Sequence, residues 1–275
     1  MPEALATTDR VSAGRRRGRA IVVRVAGFVV VIAVLAGAVV GVLVEWWVGL
    51  LLAVLLAAAA WFVVVVPRLR RAQDRALRLV GPVREADEAA DARFINLVEG
   101  LAPTAGLPRP RCFVADDPSV NLLALGQDPR QGCIVATSGL LQGMSRMELE
   151  AVVAHAIVRL RDGGTIAATL AVSLTGGRGP LANALGAPDL ATVDLEAVRL
   201  TRFPPALASA LRVTSGATIA DQAASGSASP SPPVGSASGS PSTPRAADAV
   251  LAPLWFAPPG DAASVAVRIE AIEEL

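Results

Sequence analysis

One histidine, two cysteines and no tyrosine stand in a chain of 275 residues. Lysine is missing as well: all 25 basic residues are arginine, against 24 acidic ones. Charges that nearly cancel set up no global field of the kind that draws a protein to nucleic acid. With His155 alone, no pair of histidines is available to a metal. Cys112 and Cys133 have no metal-ligand spacing to one another or to any other residue. They read as free thiols of a reducing compartment, inert if buried, and not as a disulfide. Neither G-x-G-x-x-G after a strand nor G-x-x-x-x-G-K occurs, which removes the nucleotide-binding loops. The lack of lysine beside abundant Ala, Arg and Gly points to a GC-rich bacterial genome.

Charge is missing over two long stretches. Val25 to Val44 and Trp46 to Val66 carry none, and these runs account for much of the 53% hydrophobic content and the mean hydropathy of +0.52. Each is about 20 residues, enough for a helix to cross a ~30 Å hydrocarbon core. Glu45, Trp46 and Trp47 form the turn between them, with the indoles at the depth of an interfacial anchor. A cleaved signal peptide ending at Ala36-Gly37-Ala38 is the competing reading, but the apolar run continues past that point and a second follows. Arginines flank both outer ends (Arg10, Arg15, Arg16, Arg17, Arg19 and Arg24; then Arg68, Arg70, Arg71 and Arg75) and none lies in the turn. The expectation is a two-span protein of the inner (cytoplasmic) membrane, with both termini and the main domain in the cytoplasm.

The chain divides into a disordered basic leader (1–19), the transmembrane hairpin (20–67), a domain over 77–224, a Ser/Pro/Gly-rich linker or insert (225–244) and a return to the domain (245–275). Periodicity predicts a helix over Leu77–Leu101, ended by "PTAGLPRPR". "RCFVAD" reads as a strand, and "GCIVATSGLL" as a second strand running into a loop. Ser145-Arg146-Met147-Glu148 is a capping box ahead of an amphipathic stripe of Leu149, Val152, Val153, Ala156 and Leu160, stopped by Gly163-Gly164. "TIAATLAVSLT" is apolar but too short to span a bilayer. Further helices are expected over Asp189–Arg199, Pro204–Leu211 and "VAVRIEAIEEL".

Several motifs then fall in one order. "AGLPRPRCFVADDPSVNLLALGQDPRQGCIVATSGLLQGMSRMELEAVVAHAIVRLRDGG" runs from a G-x-P-x-P entry through D-D-P-x-x-N, an A-x-G turn and T-x-G-L-L to R-x-E-L-E-x-V-x-A-H. With "AVRLTRFPPALASAL" and "LWFAPP…RIEAIEEL" downstream, the stretch 85–275, linker aside, resembles the membrane-bound zinc metallopeptidases of the HtpX and CAAX prenyl protease kind. The resemblance implies an α+β fold: a transmembrane hairpin followed by a zincin-like metallopeptidase domain, its active-site helix packed by a small sheet. It also implies zinc on two histidines of an H-E-x-x-H helix and a glutamate from a later helix. The motif's own glutamate would be the base that activates a zinc-bound water.

Carried over residue by residue, little of that site remains. The motif reads His155-Ala156-Ile157-Val158-Arg159. His155 is the remnant first ligand, Ala156 stands at the general-base position, and Arg159, a permanent cation that repels zinc, replaces the second histidine. An ungapped alignment puts the third ligand on Leu190 and the family's histidine-orienting aspartate on Asp194. No catalytic residue is intact, and zinc, expected for the family, is not expected here. Substitute ligands would have to come from Asp162, Asp189, Asp194, Glu196 or the two cysteines. Arg159 is expected to pair with Asp194, Asp189 or Glu196, since an unpaired buried guanidinium is costly. Residues Gly132, Cys133, Ile134, Val135, Ala136 and Thr137 are the candidate edge strand on which an extended peptide would be added. The resulting reading is a membrane-anchored pseudopeptidase that binds or regulates a polypeptide partner or an active relative, with no nucleic acid involved. The alternatives are a divergent zinc endopeptidase acting on membrane or misfolded proteins, and a purely architectural membrane protein.

Overall fold

A computed structural model describes residues 24, 27–28, 30–35, 46–67, 71–175, 189–226, 250–258 and 261–275. The leader 1–19 and the stretch 227–244 of the Ser/Pro-rich segment lie outside them, as does most of the first apolar run. Helix α1, Trp46–Ala60, continues into a π-helical turn at Trp61–Val65. Fifteen residues rise about 22 Å, and among the described residues no helix is long and apolar enough to cross a membrane. The surface here is nonetheless apolar: Phe28, Leu35, Leu50, Val54, Phe62 and Val63 are all exposed.

The single helix expected over Leu77–Leu101 is three elements: α2 (Ala72–Val80), strand β1 (Val83–Glu85) and α3 (Ala92–Thr104). Gly81, at φ 109° and followed by Pro82, ends the first helix in a conformation that favours glycine. Asp87 then accepts from the amides of Ala89 and Ala90, turning the chain into α3. Asp91, bonded to the Arg84 guanidinium, ties β1 to that helix start. The "PTAGLPRPR" segment does not stop α3 at Leu101, because Pro103 is accommodated in its last turn.

Strands β2 (Arg111–Ala115), β3 (Leu122–Leu125) and β4 (Cys133–Thr137) complete a four-stranded mixed sheet of order β1-β2-β4-β3. β2 and β4 are parallel; β1 and β3 pair antiparallel to β2 and β4. This overturns the assignment of 132–137 as an edge. β4 is central, hydrogen-bonded on both sides, and all five of its residues are buried. The cause is legible in its composition. A strand apolar on both faces belongs between two layers, and here Ile134 and Ala136 face one core while Cys133 and Val135 face the other. Cys112 and Cys133 thus point to opposite sides of the sheet, and both are free and buried. Gly132 leads into β4 because a Cβ there would lie 2.6 Å from Leu160 Cδ2.

A short helix, α4 (Ser138–Gly143), stands where a loop was expected, with the Thr137 side chain accepting from the Leu140 amide as its cap. Helix α5, Arg146–Arg161, starts on the Ser145–Glu148 capping box, both halves of which form. Its stripe is not amphipathic. Leu149 and every residue from Ala151 to Leu160 are buried, so α5 is the central helix of the main core. It is covered by the sheet, α3, α7 (Leu190–Thr201) and α8 (Pro204–Gly226). Helix α8 extends well past the expected Leu211. On the other face of the sheet, α2 and α6 (Ile166–Thr175) close a smaller core with Leu251, Leu254 and Trp255. Helix α9, Ala262–Glu273, ends the chain against α7 and α8.

Candidate functional site

His155 lies in the middle of α5 with 1% of its surface exposed. Its Nδ1 is 2.8 Å from Asp194 Oδ1, on the facing turn of α7. Arg268 of α9 completes the contact: its Nε donates to Asp194 Oδ2 at 2.6 Å and its Nη2 to Oδ1 at 2.9 Å. This is the bidentate fork that suits a guanidinium to a carboxylate. Burial by itself would raise the Asp194 carboxyl, but the bonds from Arg268 and His155 outweigh it and hold its pKa below the ordinary carboxylate value. Burial also pushes the His155 imidazole down to about 4, against the pull of Asp194 and with the help of the Arg268 and Arg159 charges. The ring is therefore neutral at pH 7, donates from Nδ1 to Asp194 and carries its lone pair on Nε2. That Nε2 is buried and has no hydrogen-bond partner among the described residues.

One turn further along α5, Arg159 is 2% exposed. It does not pair with Asp194, Asp189 or Glu196, as expected from the sequence. Asp194 is committed to His155 and Arg268. Asp189 caps α7 through Thr192, and Glu196 meets Arg161 and Arg199. The guanidinium turns the other way, onto three carbonyl oxygens of the C-terminal segment: Leu254 at 2.9 Å, Trp255 at 3.0 Å and Pro253 at 2.5 Å. Burial, then the nearby Arg268, lowers its pKa to about 10, which still leaves a cation at neutral pH.

The segment so held runs beside β3. Leu123 and Trp255 form an antiparallel bridge, and the Phe256 amide donates to Leu122 O at 2.8 Å. Asn121 grips the next residue twice, donating from Nδ2 to Ala257 O at 2.7 Å and accepting from its amide at 3.3 Å. Arg268 Nη1 donates to Phe256 O at 2.9 Å. The Phe256 ring meets His155 edge-on, with centroids 4.9 Å apart.

Zinc does not fit these residues. The His155 lone pair is the one donor of the expected set that remains. Ala156 and Leu190 are buried apolar side chains, and Arg159 places a positive charge one helical turn from His155. Among the described residues no group of three or more His, Cys, Asp or Glu is placed to hold a metal ion. Burial raises the Cys112 and Cys133 thiols to about 11 and about 12, so neither is a ready thiolate.

Arg268, Phe256 and Asn121 were not singled out from the sequence. Arg268 could have been: it interrupts an apolar stripe with Val265 and Ile272, and a lone charge inside such a stripe signals a buried partner. The A-x-G turn expected at Ala124-Leu125-Gly126 is instead the end of strand β3, as "LLAL", a short apolar run between Asn121 and Gly126, allows.

Residues 88–174 match the model of peptidase family M48. Among individual proteins, a protease HtpX homologue of Dictyoglomus thermophilum is 34% identical over 169 residues, covering 47% of this chain and 56% of its own. HtpX homologues of Streptococcus thermophilus and Streptococcus pneumoniae are 41% and 42% identical over 91 residues, about 33% of this chain and 30% of theirs. The chain thus spans about half or less of the length of the curated relatives it matches. No solved structure matches it significantly. The order of motifs, the helix-and-sheet core around His155 and these identities agree: over residues 88–174 the chain is similar to peptidase family M48 and to the HtpX homologues.

Proposed function

We propose that this protein is a catalytically silent member of the M48 family, held at a membrane, that works by binding a polypeptide and not by cutting it. The observation that carries this reading is Arg159. A hydrolytic site of this family needs a second metal ligand one turn after His155, and that position holds a buried cation whose donors are engaged by main-chain carbonyls. Ala156 removes the base that would take a proton from an attacking water, so replacing the metal ligand alone would not restore hydrolysis. The membrane part of the reading rests on the apolar runs Val25–Val44 and Trp46–Val66, on exposed Phe28, Leu50, Phe62 and Val63, and on the arginines that bracket the runs.

Elemental mass spectrometry of the detergent-purified protein tests the silent reading. The expected result is no zinc in the native chain or in His155→Ala, and zinc uptake only when the ligand changes Arg159→His and Leu190→Glu are combined. Near-stoichiometric zinc in the native chain that His155→Ala abolishes would sink it.

A further inference from the structure

We infer that residues 254–257 are a tethered internal peptide ligand of this protein's own cleft, laid along β3 where an extended polypeptide from outside would otherwise add as a strand. The inference concerns what fills the cleft and stands apart from whether the site can hydrolyse anything.

β3 is one of the two outer strands of the sheet, and an outer strand presents unpaired N–H and C=O groups that a second backbone can satisfy. Here the chain supplies that backbone itself. The Leu123–Trp255 bridge and the Phe256 amide on Leu122 O are the contacts of strand addition, in the antiparallel sense. Around them sit three groups whose donors and acceptors match a peptide backbone and not a particular side chain. The Asn121 carboxamide donates from Nδ2 to Ala257 O, and its Oδ1 accepts from the Ala257 amide as well as from the amide of Leu122. Arg159 donates to the carbonyls of Pro253, Leu254 and Trp255. Arg268 donates to that of Phe256.

The segment leaves a 3₁₀ turn, Ala252–Leu254, and is extended from Trp255 on, so its side chains switch faces once and do not alternate strictly. Leu254 and Trp255 join the core on the α2 and α6 face, whereas Phe256 and Ala257 join the main core, where the Phe256 ring stacks edge-on to His155. Four consecutive residues are thus read mainly through their backbones, with one aromatic anchor. A polypeptide that uses the β3 edge must be extended, must bring an aromatic followed by a small residue, and must first displace 254–257.

Two measurements on the full chain in detergent test this. Hydrogen exchange resolved at single residues should find the Phe256 amide slowed by roughly a hundredfold or more relative to an exposed amide. A labelled synthetic peptide with the sequence of residues 250–258, "VLAPLWFAP", should bind the native chain weakly. It should bind Phe256→Gly at least about tenfold tighter, because that change weakens the tether while leaving β3, Asn121 and Arg159 in place. Protected amides at Ile134 and Val135 certify that the variant is folded. A Phe256 amide that exchanges as fast as an exposed one in the native chain would overturn the inference, with no variant required. Equal peptide affinity for the native chain and a folded Phe256→Gly would overturn it too. Zinc in the native protein would leave both readouts untouched, so the two proposals fail separately.

Discussion

Two arginines lie buried within reach of His155, and they are held in opposite ways. Arg268 meets a carboxylate through both oxygens and adds one carbonyl; Arg159 meets carbonyls alone. At the Arg268 corner charge is cancelled by charge, and a histidine that burial keeps neutral is oriented by Asp194 with its lone pair on Nε2. At the Arg159 corner a cation is solvated by main-chain dipoles, as it would be by water, and the loop that supplies them is fixed in return. The first corner holds a histidine through a carboxylate. The second grips the chain's own C-terminal segment. The two corners should answer differently when they are disturbed.

The largest effect is expected at the first. Asp194→Ala leaves Arg268 buried without a counter-charge and removes the acceptor from His155 Nδ1, at a cost of about 3–5 kcal/mol. Urea unfolding in detergent reads this as a lowered midpoint. Asp194→Asn keeps the shape and one acceptor and should cost less. If Asp194→Ala shifts the midpoint no more than an exposed substitution does, the charge-cancelling account of this corner is wrong.

Acid should reach the same corner next. The unfolded chain binds a proton on His155 near the ordinary 6.5, the folded chain only near about 4. Between those values the unfolded state holds more protons, so stability falls as the pH falls, by about 1.4 kcal/mol per pH unit and about 3 kcal/mol over the window. Asp194, whose folded pKa is lowered, adds its own loss as the pH falls through that still lower value. Thermal melts from pH 7 to 4.5 check the slope, and His155→Gln should flatten it. Arg159 is the smallest of the named contributions to the depressed imidazole, so Arg159→Met should keep the slope and only narrow its window from the acid side.

Arg159→Met itself is expected to cost about 1–3 kcal/mol, less than Asp194→Ala. Three carbonyls lose their donor, but a buried cation with no carboxylate is removed at the same time and methionine fills its stem. The accompanying sign is faster exchange at Phe256 with Ile134 unchanged. A variant more stable than the native chain with its Phe256 amide still protected would show that the guanidinium does not hold the segment.

Sequence alone reached one corner further than the other. The capping box, the extent of α5, the strands at 111–115 and 133–137 and the substitutions at Ala156 and Arg159 are all written locally, in residue types a few positions apart. Asp194 was named through family resemblance, and the structure places it on His155. What could not be read locally depends on contacts far apart in the chain. Arg159 meets residues 94–96 positions away, and Asn121 meets Ala257 at 136. Whether Arg159 faced carboxylates or carbonyls was decided by the direction in which residues 253–255 return, which no periodicity encodes. The placement of β4 failed for a related reason. A five-residue apolar run fits an edge that is covered and a centre equally well, and only its neighbours β2 and β3 decide between them.

Phe256 lies against the first corner and directly follows the residues that Arg159 holds, and the smallest effect is expected from trimming it. Its ring meets His155 edge-on at 4.9 Å and lies under the Arg268 guanidinium, 5.2 Å from ring centroid to Cζ. Phe256→Leu keeps the backbone bonds to Leu122 and Arg268 and most of the volume, so it removes mainly the two ring contacts, at about 1 kcal/mol. A double-mutant cycle with His155→Gln separates them. A coupling of about 0.5–1.5 kcal/mol means that the histidine and the segment stabilise each other through the ring, which makes His155 part of what holds the segment along β3. A coupling of zero means that the corners are independent: the segment is then held by its backbone alone, and His155 serves only the Asp194–Arg268 pair.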